Sequence, residues 1–441
     1  MLVSNRKRYL SGSDWVIHSL DHLMKSVSGA GNISQIVLML NAPLDEHEVR
    51  TGLNDFVGRF PVLAGRVGRD ILLAPYWKIP AHRVRDAALT VRQVEDTAFD
   101  GPLPSLFAPG SNTQFRGKDD HLLFSLFLGR KRSALAMTFD HRIFDARGSE
   151  LFLSLFQQCR DEGAAPASGD IAFTSTPALT GWSRKFQAGR NVNRRIIALS
   201  RASTPETLPL PAKGTGGYRY HLLAFTGEET KRIYDQAYRE AGYLMESPFL
   251  LAVIMQSMHD LLSIRLRPES SYLVPVTVDL RPGTDALQEV FFNYVSYLFY
   301  QVPVAAVADR PGLIALLKEQ MYDQVKSGFP KDLAEASLLT RIAPLPLLGR
   351  LLQLPLKGKM ATFAFSHLGK SSYRHSTFMG RSVTSLFHMP RVPAPPGIGF
   401  FSNYYNGTLN LVISHLDGLL DDRDVRMLDQ GIRGRFSGGS A

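Results

Sequence analysis

Two spacings of hydrophobic residues alternate along this chain, one helical and one of strand length. Asp14-Trp15-Val16-Ile17-His18-Ser19-Leu20-Asp21 sets apolar side chains at helical intervals, and Ser13 stands where an N-cap belongs. Ile33 to Leu40 is mostly apolar and reads as a buried strand, and a helix of mixed charge follows Pro43. Phe60-Pro61-Val62-Leu63-Ala64-Gly65-Arg66-Val67 ends that helix and turns into another strand. His121 to Leu128 and Ser133 to Phe139 read as a hairpin across Gly129-Arg130-Lys131-Arg132. The chain then leaves its strand at Asp140, and Ser149 to Gln158 reads as a helix.

A second series of the same kind begins near Tyr218. Tyr218 to Phe225 predicts a strand, and Thr226 caps a helix with Glu228 and Glu229 in its first turn. Pro248 to Ile264 and Pro311 to Val325 read as helices, with a last helix from Asp422. Ser271 to Asp279, Asn293 to Val302, Thr362 to Ser366 and Leu409 to Ser414 read as strands. A chain of 441 residues exceeds one ordinary core. The expected division is an α/β unit over 1–165, a crossover over 166–213 and a second α/β unit over 214–441.

Two segments fit neither series. In the crossover, Trp182 to Leu199 predicts a helix carrying Arg184, Lys185, Arg190, Arg194 and Arg195 beside Trp182, Phe186, Ile196 and Ile197. It reads either as a linker helix packed through Trp182 and Phe186 or as a helix lying on an anionic membrane surface. Pro344 to Leu356 is apolar and proline-rich, which suits a short packed helix, an acyl-tunnel lining or a membrane contact.

Composition narrows the classes. Hydrophobic residues at 44% and charged residues at 20% describe a globular chain. The formal charge of +10 favours anionic partners: a nucleotide cofactor, an acidic carrier protein, an anionic lipid surface or nucleic acid. Nucleic acid is set aside, because no finger spacing, glycine-rich clamp or aromatic-basic platform accompanies the charge. The single Cys159 excludes an intramolecular disulfide and a cysteine-based metal site. The basic start, Met1 to Arg8, is not followed by the apolar stretch of a secretory signal, and no segment has the apolar length of a spanning helix. The expected location is cytoplasmic, with peripheral membrane contact as an open alternative.

The stretch that points to chemistry is Phe139-Asp140-His141-Arg142-Ile143-Phe144-Asp145-Ala146-Arg147-Gly148, where a strand gives way to a helix. Three residues separate His141 from Asp145, a spacing that suits a carboxylate organising the turn that carries an imidazole. Histidine exchanges protons near neutral pH and suits general-base work. A metal reading is weaker, since the pair supplies two ligands and no second histidine cluster accompanies it.

The stretch resembles the His-His-x-x-x-Asp-Gly motif of the CoA-dependent acyltransferase superfamily related to chloramphenicol acetyltransferase. That group includes peptide-synthetase condensation domains and polyketide-associated acyltransferases. Phe60-Pro61-Val62-Leu63 resembles a turn common near the start of such proteins, and Val274-Pro275-Val276-Thr277-Val278-Asp279-Leu280-Arg281 resembles their second-half strand. Phe292-Asn293-Tyr294 is similar to a following glycine-asparagine segment, with Phe292 where glycine is frequent. Phe365-Ser366-His367-Leu368-Gly369 is similar to the strand-turn beside the tunnel. Asp140 and Ala146 depart from the motif's first histidine and its glycine, and the plant-type Asp-Phe-Gly-Trp-Gly signature is absent.

The resemblance implies two subdomains, each a mixed sheet with packed helices, and an active-site tunnel between them. It implies His141 as general base, Ser366 as oxyanion donor, and Asp145 paired with Arg281 as a structural brace. Asp140, Gly148 and Asn293 are candidates for the substrate channel. It further implies an acyl donor, CoA-borne or phosphopantetheine-linked, a hydroxyl or amine acceptor, no tightly bound cofactor, and an acyl carrier protein as a possible partner. Apolar segments of the second half suggest an acyl chain longer than acetyl. A condensation-type domain acting on two carrier-bound substrates, a non-catalytic binding domain of the same fold and an interaction protein docking through the cationic helix stay open.

Overall fold

Ile33–Leu40 and Ser133–Asp140 are buried at every position, which is why neither shows the polar alternation of a half-exposed strand. They lie side by side in a sheet covered on both faces. The polar pair within them satisfies itself, since Gln35 Nε2 donates to Thr138 Oγ1 at 2.8 Å.

The computed structural model describes residues 6–438 except 83–84, 116–120, 164–180, 203, 212–215, 284–288, 342, 347–358 and 360. Among the described residues the strands are β1 (Arg6–Tyr9), β2 (Ile33–Leu40), β3 (Arg66–Arg69), β4 (Pro75–Ile79), β5 (Ala88–Gln93), β6 (Leu122–Leu128), β7 (Ser133–Asp140), β8 (Tyr218–Ala224), β9 (Ser271–Asp279), β10 (Val295–Pro303), β11 (Ala364–Lys370), β12 (Thr377–Phe378), β13 (Arg381–His388), β14 (Ile398–Tyr405) and β15 (Thr408–Leu416). The helices are α1 (Gly12–Ser28), α2 (Glu46–Val57), α3 (Leu103–Ser111), α4 (Ala146–Glu162), α5 (Trp182–Ala202), α6 (Gly227–Ala241), α7 (Glu246–Arg265), α8 (Arg310–Lys326), α9 (Phe329–Ser337) and α10 (Asp422–Phe436).

The first large sheet runs β12-β13-β2-β7-β6-β5 and the second β10-β9-β11-β14-β15-β8, with a small β1-β4-β3 sheet beside them. Both large sheets are mixed: β5 runs parallel to β6, and β11 runs parallel to both β9 and β14. Helices α2 and α4 bury Leu53, Phe56, Phe152 and Phe156 on one face of the first sheet, and α3 covers the other. Helices α6, α8 and α9 pack on the second. This is the expected two-subdomain α/β architecture.

The two large sheets do not divide simply with the sequence halves. Strands β12 and β13 lie in the second half of the sequence but belong to the first sheet, where β13 pairs with β2 from Val383↔Leu40 to His388↔Ile36. The chain then returns to the second sheet as β14. Val383, Leu386 and His388 are buried there, and β2 is not left as an open edge. The halves also share a core: Phe291 contacts the rings of Phe60, Phe144 and Phe152 at centroid distances of 5.4, 5.2 and 6.0 Å.

Three local expectations change. Ser11, not Ser13, caps α1, with Asp14 completing the reciprocal capping box. Helix α5 forms, but it packs through Lys185, Ala188 and Leu199 and leaves Trp182 42% and Phe186 59% exposed. Helix α7, among the described residues the one long and apolar enough to cross a membrane, is mostly buried against α6, α8 and α10. Of the Pro344 to Leu356 stretch, 347–356 lies outside the described residues.

The shared aromatic core makes a prediction. Phe291→Ala should cost about 3–5 kcal/mol, and denaturant unfolding should remain one transition with a lowered midpoint. Two separated transitions in the wild type would contradict the interlock.

Candidate active site

Strand β7 ends at Asp140 and α4 begins at Ala146, so the turn between them carries the site. Its start is fixed by backbone: Asp140 N–H donates to His121 O, and His141 N–H donates to Asn32 O, both at 2.9 Å. Its far side is held by the second half, where Phe292 N–H donates to Ile143 O at 2.6 Å. Phe292 takes φ +74°, a backbone conformation that glycine adopts freely and a bulky residue rarely does. Here the Arg8 guanidinium lies over its ring at 3.6 Å.

Asp145 is the N-cap of α4 and is buried. Its Oδ1 accepts from Gly148 N–H at 2.8 Å and from Arg281 Nη2 at 2.5 Å, while Oδ2 accepts from Tyr294 N–H at 3.0 Å. Burial alone would raise this carboxyl. The Arg281 charge and hydrogen bond, with the two backbone N–H groups, outweigh it and hold Asp145 below the usual carboxylate range. Arg281 is further fixed by Asp279 Oδ1 at 3.0 Å and by the Glu289 carbonyl. Asp145 therefore has both oxygens occupied, and the loop is tied to the second half through it.

His141 is held by a different residue. Asn293 Nδ2 donates to the carbonyls of His141 at 3.0 Å and Arg142 at 3.4 Å, which turns its Oδ1 toward His141 Nδ1 at 3.2 Å. An amide oxygen only accepts, so Nδ1 carries the hydrogen and Nε2 keeps its lone pair. Behind Asn293, its N–H donates to Asp14 Oδ1 at 3.0 Å, and Arg8 holds Asp14 at 2.6 Å. Among the described residues nothing bonds Nε2.

His141 lines a cavity of about 130 Å³ walled by both halves, including Ile17, Ser34, Ala146, Thr277, Ser366, His367, Phe401 and Ser402. That volume is near that of a pocket for one benzene ring. In it Thr277 Oγ1 donates to Ser366 Oγ at 2.6 Å, which leaves the Ser366 hydroxyl hydrogen available to another acceptor. His367 is hydrogen-bonded to Ser402 Oγ at 2.9 Å, and burial with the nearby Arg147 charge pushes it down to about 4. Arg147, in the first turn of α4, reaches Asp279 Oδ2 at 3.1 Å and the Lys370 carbonyl at 3.2 Å. His388, on the cavity wall, is bonded through Nε2 to the fully buried Glu150 at 2.9 Å.

The predicted residues thus separate. His141, Asp145, Arg281 and Ser366 converge on the cavity. Asp140, Gly148 and Asn293 are not among the residues that line this cavity. Asp140 turns away from His141 and accepts from His121 Nδ1 at 3.0 Å and Arg142 Nη2 at 2.5 Å. Burial opposes its charge, but these partners hold it well below the usual range. Gly148 is a packing position: a Cβ there would stand 2.3 Å from the Val290 carbonyl oxygen. Thr277, Arg147, His367 and the Glu150–His388 pair went unread. Thr277, Arg147 and His367 lay within quoted stretches that gave them no role, and the Glu150–His388 pair left no signal. Among the described residues no group of three or more His, Cys, Asp or Glu converges as a metal site.

Arg281→Ala, which strands Asp145 as a buried unpaired carboxylate, should destabilise by about 3–5 kcal/mol; a change below about 1 kcal/mol in the unfolding midpoint analysis would contradict the brace. His367 gives a pH prediction. Unfolded it protonates near 6.5, folded only near 4, so the unfolded chain gains the proton first as pH falls. Its contribution is present above about 6.5 and is lost as pH falls to about 4. His367→Asn should flatten the loss of stability across that window, by at most about 1.4 kcal/mol per pH unit, as read from denaturant midpoints.

No protein-family model matches the sequence, and no curated protein matches it. The fold does have solved neighbours. The first condensation domain of the calcium-dependent antibiotic synthetase is 14% identical with a TM-score of 0.70, over 99% of this chain and 97% of its own. A trichothecene 15-O-acetyltransferase from Fusarium sporotrichioides is 13% identical with a TM-score of 0.68, over 98% and 94%. Polyketide synthase associated protein 5 from Mycobacterium tuberculosis is 12% identical with a TM-score of 0.61, over 98% and 100%. Identities this low carry the fold alone. Along essentially its whole length, the chain shares its two-subdomain fold with these condensation-domain, acetyltransferase and polyketide-synthase-associated structures.

Proposed function

We propose that this protein transfers an acyl group from a thioester to a hydroxyl or amine acceptor, with His141 Nε2 as the general base. The observation that carries this reading is the imidazole itself. Its Nδ1–H is committed to Asn293, and its free Nε2 belongs to a ring on the wall of a cavity between the two halves.

In the proposed reaction Nε2 takes the acceptor's proton as the oxygen or nitrogen attacks the thioester carbonyl. The carbonyl becomes a tetrahedral oxyanion, to which the Ser366 hydroxyl donates. Thr277 supports that donation by giving its own hydrogen to Ser366 Oγ. Collapse expels the thiolate, and the His141 imidazolium returns the proton to sulfur. Asn293 accepts from Nδ1–H throughout, so the ring neither turns nor changes tautomer. Asp145, with both oxygens engaged elsewhere, acts on the shape of the loop and not on the proton.

The thioester is assigned to CoA or to a phosphopantetheine arm, and the chain's charge of +10 suits the phosphate of either. A condensation-type reaction between two carrier-bound substrates is the second reading. The full-length likeness to a condensation domain favours it.

Mass-spectrometric screening of acyl-CoA and acyl-carrier thioesters against hydroxyl and amine acceptors tests the class. With a productive pair in hand, His141→Ala should lose roughly 10²- to 10⁴-fold in kcat and Ser366→Ala roughly 10²-fold or more, with folding retained. Undiminished turnover by His141→Ala would overturn the base assignment.

A further inference from the structure

Outside the site, the surface carries a set of apolar side chains that the fold does not bury. The tip between β3 and β4 presents Ile71, Leu72 and Leu73 at 96%, 54% and 54% exposure. This is not a loose loop. Asp70 Oδ1 accepts from the N–H groups of Leu72 and Ala74, both at 2.9 Å, and Leu73 N–H donates to the Asp70 carbonyl at 3.0 Å. Leu73 sits at φ +62°, where glycine or asparagine would be the ordinary choice. A strained, hydrogen-bonded turn thus holds three apolar side chains out into water.

Helix α5 supplies a second element. It has six Lys or Arg and no Asp or Glu. Lys185 and Arg195 are paired inward, with Glu335 and Asp323. Arg184, Arg190, Arg194 and Arg201 are exposed, and no carboxylate pairs with them among the described residues. At 3.6 residues per turn, Trp182, Phe186 and Ile197 fall within about 60° of one another, and Arg190, Arg194 and Arg201 within about the next 60°. All of them are exposed. An apolar stripe therefore runs beside a cationic one on the outward face.

The two elements meet at one segment. Gly189 of α5 packs on Leu339, and by helical geometry it lies about 20° from Trp182, so the apolar edge of α5 is the edge beside that segment. A few residues on, the carbonyls of Arg341 and Ala343 accept from Arg69 at 2.9 and 3.0 Å, and Arg69 ends the strand that leads into the apolar tip.

We propose that this face, the 71–73 tip with the outward stripe of α5, docks on an anionic lipid surface. The tip enters the headgroup region, and the arginines meet the lipid phosphates. Consecutive apolar side chains on a convex tip suit acyl chains, and the unpaired arginines suit a negative interface. An acidic carrier protein would match the arginines, but it gives the tip no apolar partner.

The test is co-sedimentation of the full chain with large vesicles of phosphatidylcholine, alone or mixed equally with phosphatidylglycerol. Binding should be at least tenfold stronger on the mixed vesicles and should weaken as salt rises. Arg190→Gln with Arg194→Gln should weaken it about fivefold per arginine. Ile71→Ser with Leu72→Ser should weaken it at least tenfold, and both variants should keep the wild-type far-UV spectrum and Tm. His141→Ala should bind like the wild type, so the result does not depend on the proposed reaction. Binding that is no stronger on the mixed vesicles, or that both double variants retain in full, overturns the proposal. So does capture of a purified acidic carrier protein without any vesicle binding.

Discussion

The buried pair of Asp145 and Arg281 is the constraint on which the site depends. It joins residues 136 positions apart and ties the first turn of α4 to the end of β9, which lie in different sheets. Charges removed from water this completely are costly unless every lone pair is met. Here Gly148 and Tyr294 meet what Arg281 leaves, and Asp279 and the Glu289 carbonyl meet the guanidinium. The pair can therefore form only when both halves and the loop are in register. Arg147, bound to Asp279, adds a second tie between the same two elements.

With the loop so fixed, the imidazole needs little further help. Asn293 serves it from behind, and Asn293 is itself set by Asp14 and Arg8 from the start of the chain. Three distant parts of the sequence thus meet within one hydrogen-bonded chain that ends at His141 Nδ1. A neutral amide, unlike a carboxylate, fixes the tautomer without adding a negative charge beside the ring. The labour divides: a charged pair shapes the loop, and a neutral residue orients the His141 ring.

How much of this was legible in the sequence depends on whether the cause was local. His141, Asp145, Arg281 and Ser366 stood in stretches whose residue types and resemblance announced them. The mostly apolar stretches of β2 and β7 announced strands for the same reason. Asn293 was noticed but read as channel lining, because its partner lies 152 residues away and no periodicity carries that contact. The crossing of β13 into the first sheet was hidden too, since pairing with β2 is set by tertiary packing. Glu150 looked like an ordinary polar residue of an amphipathic helix, and only the fold brings His388 against it. Asp140, read as a channel candidate, has its side chain sent by the end of β7 toward His121 and Arg142, a contact that no local pattern announces.

The central claim concerns one proton on one ring, so ¹⁵N NMR of the imidazole-labelled protein is its most direct test. In its neutral form, His141 should appear as a single tautomer with its proton on Nδ1 and a free Nε2, and Asn293→Ala should return it to a mixture. A wild-type His141 with its proton on Nε2, or one whose tautomer ignores Asn293, would contradict a base prearranged for acyl transfer.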